Sequence, residues 1–417
     1  MVMKKLWWLV ALLLFSMVAF QLQAFAQDIV LMHDKGGAPD WQTPFTEMAK
    51  ICAEELGFTF TPTPFPTTDV FMSAVRTALP TNKAPELFTW WSDFRMKPLV
   101  DAGLVEDVTA LWEKRQDEYD PAFRDAFEFD GKVYGVPTNL AYWVVYYSIP
   151  VFQKFGFEEP RTWEDFIKIC DVLKANDVIP LGITVQGRWP TFIYFEDLMI
   201  RTNPDVYVDL MVGKAKYTDE PVKKVFALWK EMLDKGYFSD PGTDIFADYP
   251  RLMAQGKAGM ILIGNWYEGQ LIQTGLKVGE DVGAFILPPV DPKVGNVIIY
   301  EAAPMLLGKN APNKEKALQI ADWWMSPETQ YKWCKLMGFV PPNKKTSTDF
   351  LSAPMQKIVK QVTEWNYRLI NRFWEATPME LCEEAVDKFA EFILNPDKMD
   401  QILEDLQKIA DTYWSSH

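Results

Sequence analysis

Six short stretches of this chain place an aromatic ring beside a planar polar group: "MHDKGGAPDW" (Asp34, Lys35, Trp41), "WWSDF" (Trp91, Asp93), "GRWPT" (Arg188, Trp189), "IGNWYEG" (Asn265, Trp266, Glu268), "IYEAA" (Tyr300, Glu301) and "NRFWEA" (Arg372, Trp374, Glu375). Such pairs suit the recognition of a sugar. The C–H face of a pyranose packs on an aromatic ring, while its hydroxyls need acceptors and donors of the Asp, Glu, Asn, Lys or Arg type. The supply of rings is large, with 17 Trp, 15 Tyr and 28 Phe, and many fall at strand ends and turns and not in helical stripes. A further cluster, Tyr142, Trp143, Tyr146 and Tyr147, follows the turn "GKVYGVP". In "ELFTWWSDF" strand alternation sends one of Trp90 and Trp91 inward and the other toward the rim, where Asp93 follows.

Covalent chemistry has less to build with. The chain holds two His, and His417 is its final residue, so a Ser-His-Asp arrangement is not expected. It contains no G-x-S-x-G, no Walker loop, no G-x-G-x-x-G after a strand and no H-E-x-x-H. With 57 acidic residues, a carboxylate pair suited to glycoside hydrolysis arises by chance and points to nothing in particular. Cys52, Cys170, Cys334 and Cys382 lie far apart, without the spacing of a zinc or redox site. No metal, cofactor or catalysis is expected. The four thiols are open to disulfides or to burial as free cysteines.

The elements that must position these residues alternate. "DIVLMH", the helical "TPFTEMAKICAEELG", "FTFTPTPF", a helix around Val70 to Leu79 and "PELFTWW" read as β-α-β-α-β. Thr162 before Asp165, Ser326 before Pro327, and Asn313 read as helix N-caps. Near the end, Met399, Ile402, Leu403, Leu406, Ile409, Ala410 and Tyr413 form a 3–4 stripe on the second arm of a helical hairpin. The start has another purpose. Lys4 and Lys5, the apolar run Leu6 to Phe20 and Ala24-Phe25-Ala26 read as a secretory signal peptide over 1–26, cut after Ala26, with no cysteine near the cut for a lipid anchor.

The remaining chain exceeds one ordinary core, so two lobes are expected. No flexible linker divides it, which predicts interwoven lobes with crossings near Thr138 to Tyr142, Ile286 to Tyr300 and Val340 to Thr346. The net charge is −15, and loss of Lys4 and Lys5 takes it to −17. Nucleic acid and anionic membranes are thereby disfavoured as partners.

Four segments, in order, resemble the extracellular solute-binding proteins of ABC importers, in the group that contains the maltose-binding protein. They are "GKVYGVPTNLAYWVVYYSIPVFQKFGFEEPRTWEDF", "LMAQGKAGMILIGNW", "NKEKALQIADWWMSPETQYKWCKLMGFVPPNKK" and "NRFWEATPMELCEEAVDKF". The chain departs from many relatives at Tyr147-Ser148, where they carry Tyr-Asn, and at Tyr300-Glu301, where they carry a Gly pair. The resemblance implies a periplasmic binding protein-like, type II-like α/β fold, two lobes joined by crossing hinge strands with a ligand cleft between. The N-terminal lobe would take 27–139 plus 297–343, and the C-terminal lobe 140–296 plus 344–417. It implies an exported, extracytoplasmic monomer that delivers a saccharide to ABC permease subunits. Trp91, Trp266 and Trp374 would stack on the ligand, Asp34 and Lys35 would make polar contacts, and Trp41, Asp93, Asn139, Tyr142, Trp189, Asn265 and Glu301 complete the expected site. Two other readings stay open: carboxylates beside aromatics also suit a polyamine or another cation, and an aromatic cleft also suits a secreted carbohydrate-active enzyme.

Overall fold

The computed structural model describes residues 29–36 and 39–416, so the expected signal peptide lies outside the described residues. The β-α-β-α-β order of the early chain forms as read. β1 (Ile29–His33) runs parallel to β2 (Phe60–Pro64) on one side and β3 (Leu87–Thr89) on the other. Helices Pro39–Leu56 and Thr68–Ala78 make the crossovers, the second capped by Thr67, whose hydroxyl accepts from the Val70 amide. Parallel strands need such helical returns, and the helices bury residues such as Met48, Phe71 and Val75.

A short hairpin, β4 (Glu128–Phe129) with β5 (Lys132–Val133), precedes the longest strand, β6 (Val136–Ser148). Every residue of β6 except Tyr147 is buried, which explains why its sequence runs apolar and aromatic instead of alternating. After β7 (Ile179–Leu181) come β8 (Ala258–Gly264), β9 (Val282–Phe285), β10 (Val297–Leu307) and β11 (Arg368–Asn371). β6 pairs antiparallel with β8, β9 and β10, while β8 pairs in parallel with β7, and β10 with β11. In register, Glu301 faces Ala141 across the antiparallel pair, and Tyr300 faces Asn371 across the parallel one.

By packing, the chain divides into two compact units, one reaching to Phe88 and completed by Leu307–Ile320, the other made of Thr89–Leu306 with Ala321 onward. The cuts fall at different residues from the expected lobe ends, which concern how the chain would move and not how densely it packs. In the smaller unit, Glu86 is buried and holds the parts together: its carboxylate accepts from the Val30 amide at 2.9 Å and from Asn313 Nδ2 at 3.0 Å.

In the larger unit the Thr162 capping box is complete, with the Asp165 amide bonded to the Thr162 hydroxyl and the Thr162 amide bonded to Asp165. Ser326 caps the helix Pro327–Met337. The closing hairpin, Met379–Leu394 with Met399–Trp414, buries Ile402, Leu403, Leu406 and Ala410 of the expected stripe. All four cysteines are buried and unpaired. Among the described residues no helix is long and apolar enough to cross a membrane.

Candidate functional site

The larger unit assembles an aromatic wall from segments distant in sequence. Trp143 lies on β6, Trp189 begins a 3₁₀ turn, and Trp266 sits in the turn that directly follows β8. Their rings form a closed triangle, with centroids 6.3 Å apart for Trp143–Trp189, 6.2 Å for Trp143–Trp266 and 6.0 Å for Trp189–Trp266, each pair edge to face. This is the geometry that indole quadrupoles favour. Phe246 stacks on Trp266 at 6.1 Å and is 37% exposed, so this end of the wall reaches solvent. From Trp189 the wall continues through Phe192 to Trp374, with Arg95 lying over the Trp374 ring at 3.9 Å.

Charged groups line the wall. Glu301 on β10 is joined by Arg372, which follows β11; the Arg372 amide bonds the Tyr300 carbonyl, and Nη1 lies 3.0 Å from Glu301 Oε2. The other side of the guanidinium grips Glu375 through two hydrogen bonds, Nε to Oε2 at 2.8 Å and Nη2 to Oε1. Burial opposes the charge of Arg372, yet Glu301 and Glu375 together hold its pKa above the ordinary guanidinium value. Burial also raises the Glu375 pKa, against the pull of Arg372. Trp266 Nε1 donates to the same Glu301 Oε2, at 3.4 Å. The Arg372 guanidinium lies 5.5 Å from the Trp143 ring centre, tying the ion pairs to the indole triangle.

Asp93 stands on the neighbouring segment. It takes a left-handed backbone conformation, φ +52°, and its Oδ2 accepts from Asn371 Nδ2 at 3.2 Å. It keeps some exposed surface although its carboxylate sits deep: burial pushes its pKa up to about 7, the Asn371 bond opposes this, and Glu375 adds to it. Behind the wall, Glu196 accepts from the Phe373 amide at 2.7 Å, and its other oxygen has no partner. Burial raises its pKa well above the carboxylate range.

The structure thus brings Trp189, Trp266, Glu301 and Trp374 into one surface, with Asp93 joined through Asn371. Trp91 is half-buried and packs edge-on against Trp90, which is the inward member of the doublet. Asn139 is buried on β6 and accepts from the Thr138 hydroxyl at 3.2 Å. Tyr142 projects from the opposite face of β6 to Trp143 and is 5% exposed, its phenol held un-ionised by burial and by Asp120. Asn265 is 1% exposed, with Oδ1 accepting from the Tyr142 amide at 3.0 Å and Nδ2 buried without a partner.

Asp34 and Lys35 lie in the smaller unit at the end of β1, paired at 3.2 Å. Next to them His33 stacks on Phe45 at 4.0 Å, and burial, foremost, lowers its pKa to about 4. Trp41 lies in the first turn of helix Pro39–Leu56, and its side chain is outside the described residues. Phe246, Phe192 and Arg95 were not expected at the site. Phe246 in "TDIFADYP" carries the signal used elsewhere, a ring among carboxylates in a turn, whereas Phe192 and Arg95 carry none.

Residues 47–360 match the family described as bacterial extracellular solute-binding protein. Among curated proteins, an uncharacterized ABC transporter extracellular-binding protein of Pyrococcus horikoshii is 23% identical over 296 residues, 69% of this chain and 65% of that protein, so the match covers just under two thirds of the relative. Among solved structures, a bacterial solute receptor described as exclusively preferring β-D-galactopyranose superposes with a TM-score of 0.82 at 20% identity, covering 93% of this chain and 99% of that one. A chitin oligosaccharide binding protein superposes with a TM-score of 0.78 at 20% identity, covering 92% and 98%. At these identities the likeness establishes the α/β fold of such receptors and nothing narrower.

Proposed function

Because this chain belongs to the bacterial extracellular solute-binding proteins, we propose that it captures an uncharged mono- or oligosaccharide outside the cytoplasm and hands it to the permease of an ABC importer. The observation that carries this reading is the pair of half-buried rings Trp189 and Trp266, backed by the fully buried Trp143, set beside the partly exposed Glu301 that Arg372 holds in place. Aromatic faces for C–H groups and fixed polar groups for hydroxyls are what a sugar demands together. The solved structures of a galactopyranose receptor and a chitin oligosaccharide binding protein support the ligand class, and the Pyrococcus horikoshii relative, named for an ABC transporter, supports the permease.

In this reading the protein works as an exported monomer, released after Ala26. Its two lobes, 27–139 plus 297–343 and 140–296 plus 344–417, close by hinge bending. The ligand must bind the closed form more tightly than the open one, since equal affinity shifts nothing. Asp34, Lys35 and Trp41 would contribute from the first lobe and Trp266 and Trp374 from the second. No covalent step is required, and no bond in the sugar breaks.

The test is a thermal-shift panel on residues 27–417, stripped of carried ligand by refolding, with galactose, chitobiose, maltotriose and spermidine. A bound ligand raises the unfolding temperature by mass action. The reading expects a shift with one sugar set that persists at high salt and is lost in Trp374→Ala. A shift with spermidine alone, suppressed by salt, would transfer the reading to a cationic solute. Cleavage of labelled oligosaccharide on long incubation would make it an enzyme.

A further inference from the structure

β10 is buried along its whole length except at two positions, Glu301 and Ala303. These are two residues apart and therefore on the same face. Opposite them in register stand Ala141 and Asn139 of β6. The alanines are too short to cover the Glu301 carboxylate, which keeps 15% of its side-chain surface exposed in an otherwise closed part of the sheet.

Both groups that hold this carboxylate, Arg372 Nη1 at 3.0 Å and Trp266 Nε1 at 3.4 Å, converge on one oxygen, Oε2. Oε1 has no hydrogen-bond partner among the described residues. A carboxylate oxygen accepts only, so what completes this one is a donor. Each described cation that the saccharide reading places at the site is already engaged, Lys35 with Asp34 at 3.2 Å. Arg372 is divided between Glu301 and Glu375. Arg95 is engaged through Nε with the Trp374 carbonyl at 3.0 Å and lies 3.7 Å from Glu383.

From this arrangement we infer that Glu301 is the specificity-determining residue of the site: Oε1 accepts a hydroxyl of an uncharged sugar lying beside Trp266, and sugars bearing carboxylate or phosphate are rejected. The inference rests on the saccharide reading above and deepens it. An anionic sugar would bring its charge against Glu301 while the cations described at the site are already paired. Two donors aimed at Oε2 also fix what an amide would do in the same place. In Glu301→Gln the amide oxygen must face Arg372 and Trp266, so the NH₂ group takes the position of Oε1 and turns an acceptor into a donor.

The experiment is calorimetric titration of wild type and Glu301→Gln with galactose, chitobiose and maltotriose, followed by the monodeoxy analogues and the uronate of whichever sugar binds. Glu301→Gln is expected to lose roughly tenfold to a hundredfold in affinity, the range for a hydrogen bond to a charged group. One deoxy analogue should lose about as much against wild type and little further against the variant, which is the signature of a direct pair. The uronate should bind wild type at least tenfold more weakly than the neutral sugar. Should the Gln variant fail to fold, Glu301→Asp, which keeps the charge but withdraws it by one methylene, takes its place in the same cycle. Sugar binding with equal affinity in the variant, no coupling to any hydroxyl, or tight uronate binding overturns the assignment alone. Binding of no sugar by wild type overturns it together with the saccharide reading.

Discussion

Replacing Asp93 by Asn should make the protein more stable above neutral pH and leave it nearly unchanged in acid. Asp93 has φ +52°, which Asn tolerates, and an Asn side-chain oxygen can still accept from Asn371. The substitution therefore removes a titration and little else. Burial raises the Asp93 pKa from 3.8 to about 7, with Asn371 opposing and Glu375 reinforcing. A folded pKa above the unfolded one means that stability from this group is fully present below about pH 4 and is lost as pH climbs through 7. At about 1.4 kcal/mol per pKa unit, and trimmed for the surface Asp93 still exposes, the loss comes to roughly 2–4 kcal/mol. Urea unfolding of both proteins from pH 4.5 to 8.5 reads this as a difference, in which buried acids not coupled to Asp93, such as Glu196, largely cancel. The difference should open across about pH 4–7 in favour of Asp93→Asn and then level off. A difference that stays flat, or that favours wild type at high pH, would refute the reasoning.

Arg372→Met should destabilise by roughly 3–5 kcal/mol at pH 8, because Glu375 is left buried and unpaired. The loss should shrink as pH falls, because burial raises the Glu375 pKa and removing Arg372 takes away the main influence that lowers it; urea titrations at pH 8 and at acidic pH check this. Gly213→Ala should cost about 2 kcal/mol or more in the same assay, since Gly213 has φ +73° and a methyl there would stand 2.6 Å from the Trp414 ring.

The sequence shows its local chemistry plainly. The Thr162–Asp165 box, the Ser326 cap, the parallel order of the first three strands and the inward Trp90 all follow from rules that act within a few residues, and each forms as read. Trp189, Trp266 and Trp374 are legible too, each a ring beside a planar polar group, whereas Phe192 is not. Pairings across the sheet were not. Arg372 meets Glu301 because β11 lies parallel to β10 with Asn371 against Tyr300, and nothing near either residue announces that register. The left-handed turn at Asp93 was hidden for a related reason: its carboxylate was visible as a rim candidate, while the burial that perturbs it comes from distant segments.

The indole triangle gives this protein an optical property of its own. Three indoles with centres 6.0–6.3 Å apart and rings at steep angles lie close enough for their electronic transitions to couple. Circular dichroism of the unlabelled protein should carry that coupling as a signed couplet on the intense short-wavelength indole transition. Any molecule that tilts one ring by a few degrees would rewrite it, so occupancy can be followed without a dye, a tag or a radiolabel.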